Sequence, residues 1–401
     1  MTRRSTLLVL VAILLLSLNL RPAAVSVGPV LDELRDALDM GPASAGLLTS
    51  LPVLAFAIFG ALAPAAARRL GPHRVTMLAL LAVVVGLAGR ALVDQEAAFL
   101  ALSLVAVAGM AMANVLIPSL VRLHFPERIG LVTGLYTTAL AVGLTGAFLL
   151  TVPVADALGS WRYGLGIWAV LALVSVLPWF GLVAHDDRLT TPEGTIGFLD
   201  VARTRLGWAM VLFFGLQSMQ AYAVFGWFAT LWRDAGYGAA TASVLVGVVA
   251  SVSIPLSLWV PQLVARPGDQ RWVIAVIITC YPIAYFGLIA APHSLAVLWA
   301  LLLGVALATF PVILTLIGLR TRTSAATAAL SGFTQSAGYL LSAIGPFGVG
   351  LLHEATDGWT VPLEVMASLS IPLFLVGMYV GRPAHLEDQL RDRSEPATTT
   401  A

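Results

Sequence analysis

Lysine is absent from this sequence, and all 22 basic side chains are arginine. A P-loop needs a lysine on its phosphates, and a retinal or pyridoxal Schiff base forms only on a lysine. The chain is therefore not the ATPase of a pump and carries no Schiff-base cofactor. Cysteine is nearly absent too: Cys280 stands alone, so no internal disulfide can form and a packing role is expected. No His, Glu or Cys set has metal-ligand spacing, and no G-x-S-x-G occurs. Neither a metal, nor a cofactor, nor an enzymatic constellation is expected. Charge is scarce in general: 11% of residues are charged, against roughly a quarter in a soluble domain. The net charge of +1 provides no basic field for nucleic acid.

What remains is apolar: 59% of the chain, with a mean hydropathy of +0.92. About 20 such residues cross a hydrocarbon core as a helix. Twelve spans are expected, at 7–30, 43–65, 74–92, 97–120, 130–153, 163–184, 206–228, 241–265, 271–291, 294–318, 324–350 and 361–380. Turn chemistry separates them, as at Gly71-Pro72, Pro126, Gly159, Pro267-Gly268 and Asp357-Gly358. Arg3 and Arg4 ahead of the run Leu7–Leu18 imitate a secretory signal, but the run continues past Arg21 towards Val30 and reads as the first helix. Arginines crowd one set of loops, leaving only Arg35, Arg90, Arg162 and Arg233 on the other. The positive-inside rule then puts both termini in the cytoplasm. The fold class expected is an all-α membrane protein of twelve transmembrane helices in two pseudo-symmetric six-helix halves. Residues 1–184 and 206–382 form the halves, 185–205 a cytoplasmic linker, and 383–401 a polar tail expected to be disordered.

The halves repeat at an offset near 198 residues. G-P-V-L-D-E-L-R-D-A from Gly28 answers G-W-F-A-T-L-W-R-D-A from Gly226, and P-A-A-A-R-R-L-G-P-H-R from Pro64 answers P-Q-L-V-A-R-P-G-D-Q-R from Pro261. Gly109–Asn114 answers Gly304–Thr309, and Tyr136-Thr137 answers Phe333-Thr334. Parallel repeats of this kind build transporters whose solute sites lie near the bilayer midplane.

Arg21 is the one charge placed deep inside a span. A guanidinium there costs roughly 2.5–3.5 kcal/mol on insertion scales, and its planar fork suits oxyanions. The structural alternative is a clasp on backbone carbonyls or on Glu364. Pro22 deprives the Leu18 carbonyl of its helical partner and is expected to push Arg21 away from α geometry. Asn19, Asn114, Tyr136 and Thr137 in the first half, and Gln217, Gln220, Tyr222, Trp227 and Gln335 in the second, are the polar candidates for orienting a solute. Each could instead join helices. Gly28, Gly109, Gly143, Gly146, Gly345 and Gly348 read as a seam of close helix contact; with Pro22, the loop arginines Arg68, Arg69 and Arg74 complete the candidate gating set. His124 reads as a solvated loop histidine.

N-L-R-P-A at Asn19–Ala23, A-N-V-L-I-P at Ala113–Pro118, F-P-E-R-I-G-L-V-T-G-L-Y-T at Phe125–Thr137, Gln217-Ser218, S-G-F-T-Q-S-A-G-Y at Ser331–Tyr339 and Gly345-Pro346 together resemble the cyanate/nitroimidazole transporter branch of the major facilitator superfamily. The resemblance implies movement of small anions such as cyanate, or of small nitro-heterocycles, across a bacterial cytoplasmic membrane. One departure stands out: the acidic residue usual in the loop after span two is missing, while Arg68, Arg69, Gly71 and Arg74 remain. The expectation is an alternating-access carrier, monomeric, whose partners are a small anionic solute and the bilayer. An exporter of neutral or cationic compounds is the alternative within transport, and a membrane-embedded enzyme or receptor the alternative outside it.

Overall fold

A computed structural model describes residues 3–183 and 196–394. In chain order the α-helices are α1 (Arg3–Val25), α2 (Leu31–Leu38), α3 (Pro42–Ala55), α4 (Ala61–Leu70), α5 (Pro72–Arg90), α6 (Glu96–His124), α7 (Ile129–Leu158), α8 (Trp161–Val183) and α9 (Phe198–Ala202). They continue as α10 (Arg205–Asp234), α11 (Ala239–Val264), α12 (Arg271–Ala290), α13 (Ala296–Ala306), α14 (Thr309–Leu319), α15 (Ser324–Ser342), α16 (Ile344–Thr356), α17 (Thr360–Val380) and α18 (Leu386–Ser394). A π-helical turn, Phe56–Gly60, joins α3 to α4 as one rod.

Among the described residues, 11 helical stretches are long and apolar enough to cross a membrane. The stretch expected as a single helix over 324–350 is instead two, α15 and α16, broken at Ala343. Proline explains the break, and a second one like it. Pro346 cannot bond to the Ser342 carbonyl four residues back, nor Pro311 to that of Leu307, where α13 gives way to α14. There Phe310 N–H bonds Leu307 O at 3.1 Å, a tighter turn that takes up the orphaned carbonyl.

The departure from α geometry expected at Arg21 does not occur: α1 runs helical to Val25, with Arg21 and Pro22 inside it. The turn after the proline is fastened by Ser26, whose N–H and Oγ both donate to Pro22 O, at 3.2 and 2.6 Å. The polar tail also differs from expectation. Its 386–394 stretch is α18, with Leu386 wholly buried and Leu386 N–H bonded to Arg320 O at 2.9 Å. Gln389 accepts from Leu206 N at 3.1 Å and donates to the Tyr379 hydroxyl at 3.3 Å. One buried leucine with this many polar anchors is enough to order a short helix that composition alone reads as solvated. Residues 395–401, and 185–195 of the expected linker, lie outside the described residues.

The described helices fall into two compact units. The first comprises α1–α6 and α8, with α7 from Leu135 and the 323–332 stretch that opens α15. The second comprises α10–α14 and α16–α18, with 128–134 at the start of α7 and α15 from Phe333. The boundary thus falls inside two helices. In the first unit, small residues bring backbones together: a methyl group on Gly109 of α6 would run into the Ala79 carbonyl oxygen of α5, and one on Gly143 of α7 into that of Leu18 on α1. In the second, Gly345 of α16 seats on Met219 of α10, where a Cβ would lie 2.6 Å from the carbonyl oxygen. Such approaches substitute for a hydrophobic driving force between helices in lipid. The seam read from the sequence is therefore only partly a seam. Gly28 and Gly348 have open space where a side chain would go, and Gly146 makes ordinary contact; they sit on helix faces, or in the Gly28–Val30 turn, that no backbone approaches.

Two polar fasteners close the second unit. Arg320, at the end of α14, donates from Nε to Val380 O at 2.9 Å and from Nη2 to Gln270 Oε1 at 2.6 Å. Burial lowers this guanidinium to about 10, so it stays charged at neutral pH. Arg322 grips Asp388 of α18 through Nη1 and Nη2, which donate to its two carboxylate oxygens at 2.5 and 2.8 Å.

Gly109→Val is expected to destabilise the purified protein by about 2 kcal/mol or more, read as a fall in thermal midpoint, whereas Gly348→Val leaves it unchanged. The hydrogen bonds from Arg322 hold the Asp388 carboxyl below the usual carboxylate range. A depressed carboxylate stabilises above its unfolded value, and the contribution is lost as pH falls through the folded one. Backbone amides of 386–394 are therefore expected to stay protected from hydrogen exchange at neutral pH and to lose protection below that range. Asp388→Asn is expected to speed their exchange at neutral pH.

Candidate functional site

Each unit carries a buried amide at equivalent repeat positions, Asn19 on α1 and Gln217 on α10. Asn19 Nδ2 donates to Leu15 O at 2.8 Å, to Ser175 Oγ on α8 at 2.5 Å and to Leu171 O at 3.4 Å. Gln217 Nε2 donates to Ser218 Oγ at 2.5 Å. In both, the amide oxygen is buried and accepts no hydrogen bond. Gln220 is used more fully: it donates to Met366 O at 3.0 Å and Ser370 Oγ at 3.4 Å on α17, and accepts from the Tyr285 hydroxyl of α12 at 2.6 Å. The hydrogen bonds of Asn19 and Gln220 therefore join helices inside one unit.

Geometry along α1 then fixes the direction of Arg21. Successive residues of an α-helix turn by about 100°, so Arg21 leaves α1 about 200° around from Asn19. Asn19 faces α8; Arg21, half-buried, faces away from it. The face nearer to Arg21 is that of Leu18, whose carbonyl lies under Gly143 of α7. Tyr136 shares the face of Gly143 but lies two turns earlier, about 10 Å along the axis at 1.5 Å per residue. Tyr136, Thr137 and Asn114 are buried in the first unit, and Gln335 is buried in the second. Tyr222 is 38% exposed, its ring 6.4 Å from that of Tyr339. Trp227 donates to Pro346 O at 2.7 Å and belongs to a cluster at the far end of α10 with His353, Trp359 and Asp234. That contact ties α10 to α16 and sets Trp227 apart from the residues near Gln217. Of the candidate gating residues, Arg68 and Arg74 are half-buried and Arg69 is exposed.

Two features escaped the sequence. Arg90, expected at the outer end of the span 74–92, is 1% exposed and donates from Nη1 to Ala23 O at 3.2 Å and from Nη2 to Ser26 Oγ at 2.7 Å. Its partners are neutral oxygens of α1, in the turn that follows Arg21 and Pro22, and its Nε is buried without an acceptor. No spacing marks it; the one signal is an arginine closing an apolar run with no acidic neighbour in α5. The second is His124, which is no solvated loop residue. Its Nε2 lies 2.7 Å from Nε2 of buried His73, beside Trp179. At that distance one nitrogen carries a proton and the other accepts it.

Against this geometry, three kinds of likeness are informative. The family model described as Major Facilitator Superfamily matches residues 7–346. Among curated proteins, an uncharacterized transporter of Bacillus subtilis, YycB, is 34% identical over 385 residues, 95% of each chain. The 2-nitroimidazole transporter of Escherichia coli is 32% identical, covering 94% of this chain and 96% of its own, and the cyanate transport protein CynX of the same organism 27%, covering 92% and 95%. Among solved structures, the proton:xylose symporter XylE superposes with a TM-score of 0.72 at 14% identity, covering 97% of this chain and 98% of its own; at that identity the likeness speaks for the fold alone.

Replacing Arg90 by alanine is expected to cost about 2–4 kcal/mol of stability, from the lost charged hydrogen bonds and the cavity left behind. Ser26→Ala should cost less in that background than in the wild type, a coupling that a double-mutant cycle of thermal midpoints measures.

Proposed function

Since this chain belongs to the major facilitator superfamily, in the branch that includes cyanate and nitroimidazole transporters, and is a multi-pass membrane protein that moves small solutes, we propose that its solute is a small anion carried by alternating access. Arg21 neutralises the anion. The observation that carries this reading is the placement of Arg21 on α1: inside an apolar span, half-buried, and about 200° from the face that Asn19 fastens to α8. A guanidinium presents parallel N–H groups to a planar oxyanion, and a relative across 92% of the chain is named for cyanate. Asn114, Gln217, Tyr222 and Gln335 are the orienting polar groups, each through its N–H or O–H donors.

The halves 1–184 and 206–382 are the moving parts, with 185–205 the link between them. Arginine distribution supports a bacterial inner-membrane protein with both termini in the cytoplasm. A second reading, a neutral nitro-heterocycle, draws on the 2-nitroimidazole transporter that is 32% identical.

Thermal shift on detergent-purified protein separates the two, with wild type beside Arg21→Gln and a panel of cyanate, nitrate, bicarbonate, short carboxylates and 2-nitroimidazole. A ligand at 100 times its dissociation constant stabilises by about 2.7 kcal/mol. The expected result is a shift by one anion class that disappears in Arg21→Gln while the variant keeps its own unfolding transition. A shift by 2-nitroimidazole alone, equal in both proteins, would replace the anion reading with the neutral one.

A further inference from the structure

A groove of about 640 Å³ opens on the second unit where the first turns of α10, the end of α9 and the last turns of α17 meet. Its lining is polar at one end and apolar at the other. Arg203 and Arg205 stand at the polar end, both exposed. Trp208 and Tyr379 flank them. Leu212 and Leu375 lie one helical turn further along, Leu212 four residues after Trp208 and Leu375 four residues before Tyr379. Because α10 starts where α17 ends, those two steps run in the same direction, away from the arginines. Leu375 is 64% exposed and Trp208 51%.

The arginine charge is barely compensated within the unit. Among the described residues Arg205 makes no ion pair, and Arg203 meets Asp200 only at 4.0 Å, with the Arg203 side chain 73% exposed. The adjoining N–H groups of α10 are already occupied: Gly207 N–H donates to Thr204 Oγ1 at 3.0 Å and Leu206 N–H to Gln389 Oε1 at 3.1 Å. The two aromatic walls are held by their polar ends. Trp208 Nε1 donates to Ala202 O at 2.8 Å while its ring stands edge-on to Phe333, 5.2 Å between centroids, and the Tyr379 hydroxyl accepts from Gln389. Tryptophan and tyrosine so placed are characteristic of the membrane–water interface. The groove is thus a preformed slot with two available cations at the interface and a leucine floor one turn deeper.

We infer that this groove binds an anionic phospholipid, its phosphate between Arg203 and Arg205 and an acyl chain along Leu212 and Leu375. Charge complementarity selects an anion, and the apolar continuation selects an amphiphile over a soluble phosphate. Basic pockets between transmembrane helices recognise lipid headgroups in this way. The inference stands independently of the solute read by Arg21, since no residue of the groove belongs to that site.

The test is native mass spectrometry of the delipidated full chain titrated with phosphatidylglycerol, with phosphatidylethanolamine, and with phosphatidylglycerol in competition with sn-glycerol 3-phosphate. Wild type is expected to take up one phosphatidylglycerol in preference to phosphatidylethanolamine, and glycerol phosphate is expected not to displace it. Near the surface each arginine contributes about 1 kcal/mol to an anionic lipid, so Arg203→Gln with Arg205→Gln should weaken phosphatidylglycerol about thirtyfold and leave phosphatidylethanolamine unchanged. Leu375→Trp, which fills the apolar end and leaves both arginines in place, should weaken both lipids. Equal affinity for the two lipids in wild type, an unchanged phosphatidylglycerol titration in the double variant, or displacement by glycerol phosphate would each overturn the inference.

Discussion

Hydrocarbon offers no hydrogen bonds, and that constraint governs this structure. A polar group inside a span must find its partner in the protein, and here the partner is usually on the same helix or on the neighbour within the same unit. Ser17, Thr151 and Thr315 each donate to the carbonyl four residues back. Where a side chain can reach further, it becomes a fastener between helices: Asn19 from α1 to α8, Gln220 from α10 to α12 and α17, Arg90 from α5 to α1. The same constraint makes proline expensive, and the chain handles it in two ways. Helices break just ahead of Pro311 and Pro346, whereas they continue through Pro22, where Ser26 bonds the Pro22 carbonyl, and through Pro118, Pro178 and Pro282.

With hydrogen bonds committed in this way, closeness of backbones is the remaining source of cohesion. It is concentrated where glycine removes the side chain altogether, at Gly109 over Ala79 and Gly143 over Leu18. The second contact has a further effect. It rests on the carbonyl one turn before Pro22, so α7 is seated at the level of α1 where Arg21 emerges. Arg90 holds the same helix from the other side of the proline, at Ala23 and Ser26. The segment that carries Arg21 is therefore held on both sides of Pro22 by two different helices.

The fold was legible because its signals are collective. Spans follow from hydropathy, and halves from a repeat visible in four matches. The candidate site was less legible, because a polar residue in a span has the same appearance in sequence whichever way it faces. Asn19 and Gln220 could have addressed a solute or a neighbouring helix, and their bonds to a neighbouring helix depend on Ser175, Tyr285 and Ser370, far away in sequence. Arg90 was invisible for the complementary reason. Its place at the end of an apolar run reads as the outer end of a span, and nothing local indicates that α1 covers it. His73 and His124 lie 51 residues apart, a separation at which no motif operates. The α18 helix was missed because its single apolar anchor, Leu386, has no weight in a window of charged residues.

A chain whose only cation is arginine has one more property. Arg90 lies in the first unit among neutral oxygens, with no carboxylate bonded to it, and a guanidinium does not shed its proton at physiological pH. Hydrogen bonds to a carbonyl and a hydroxyl solvate this charge without cancelling it. In a low-dielectric interior such a charge acts over a longer distance than in water, and here it stands beside the end of α1 beyond Pro22. A lysine there could lose its proton under the same burial, since its pKa shifts readily, and the charge would then vary with the environment. Arginine keeps the charge constant, which is what the proposed anion reading requires of the residues that face the solute.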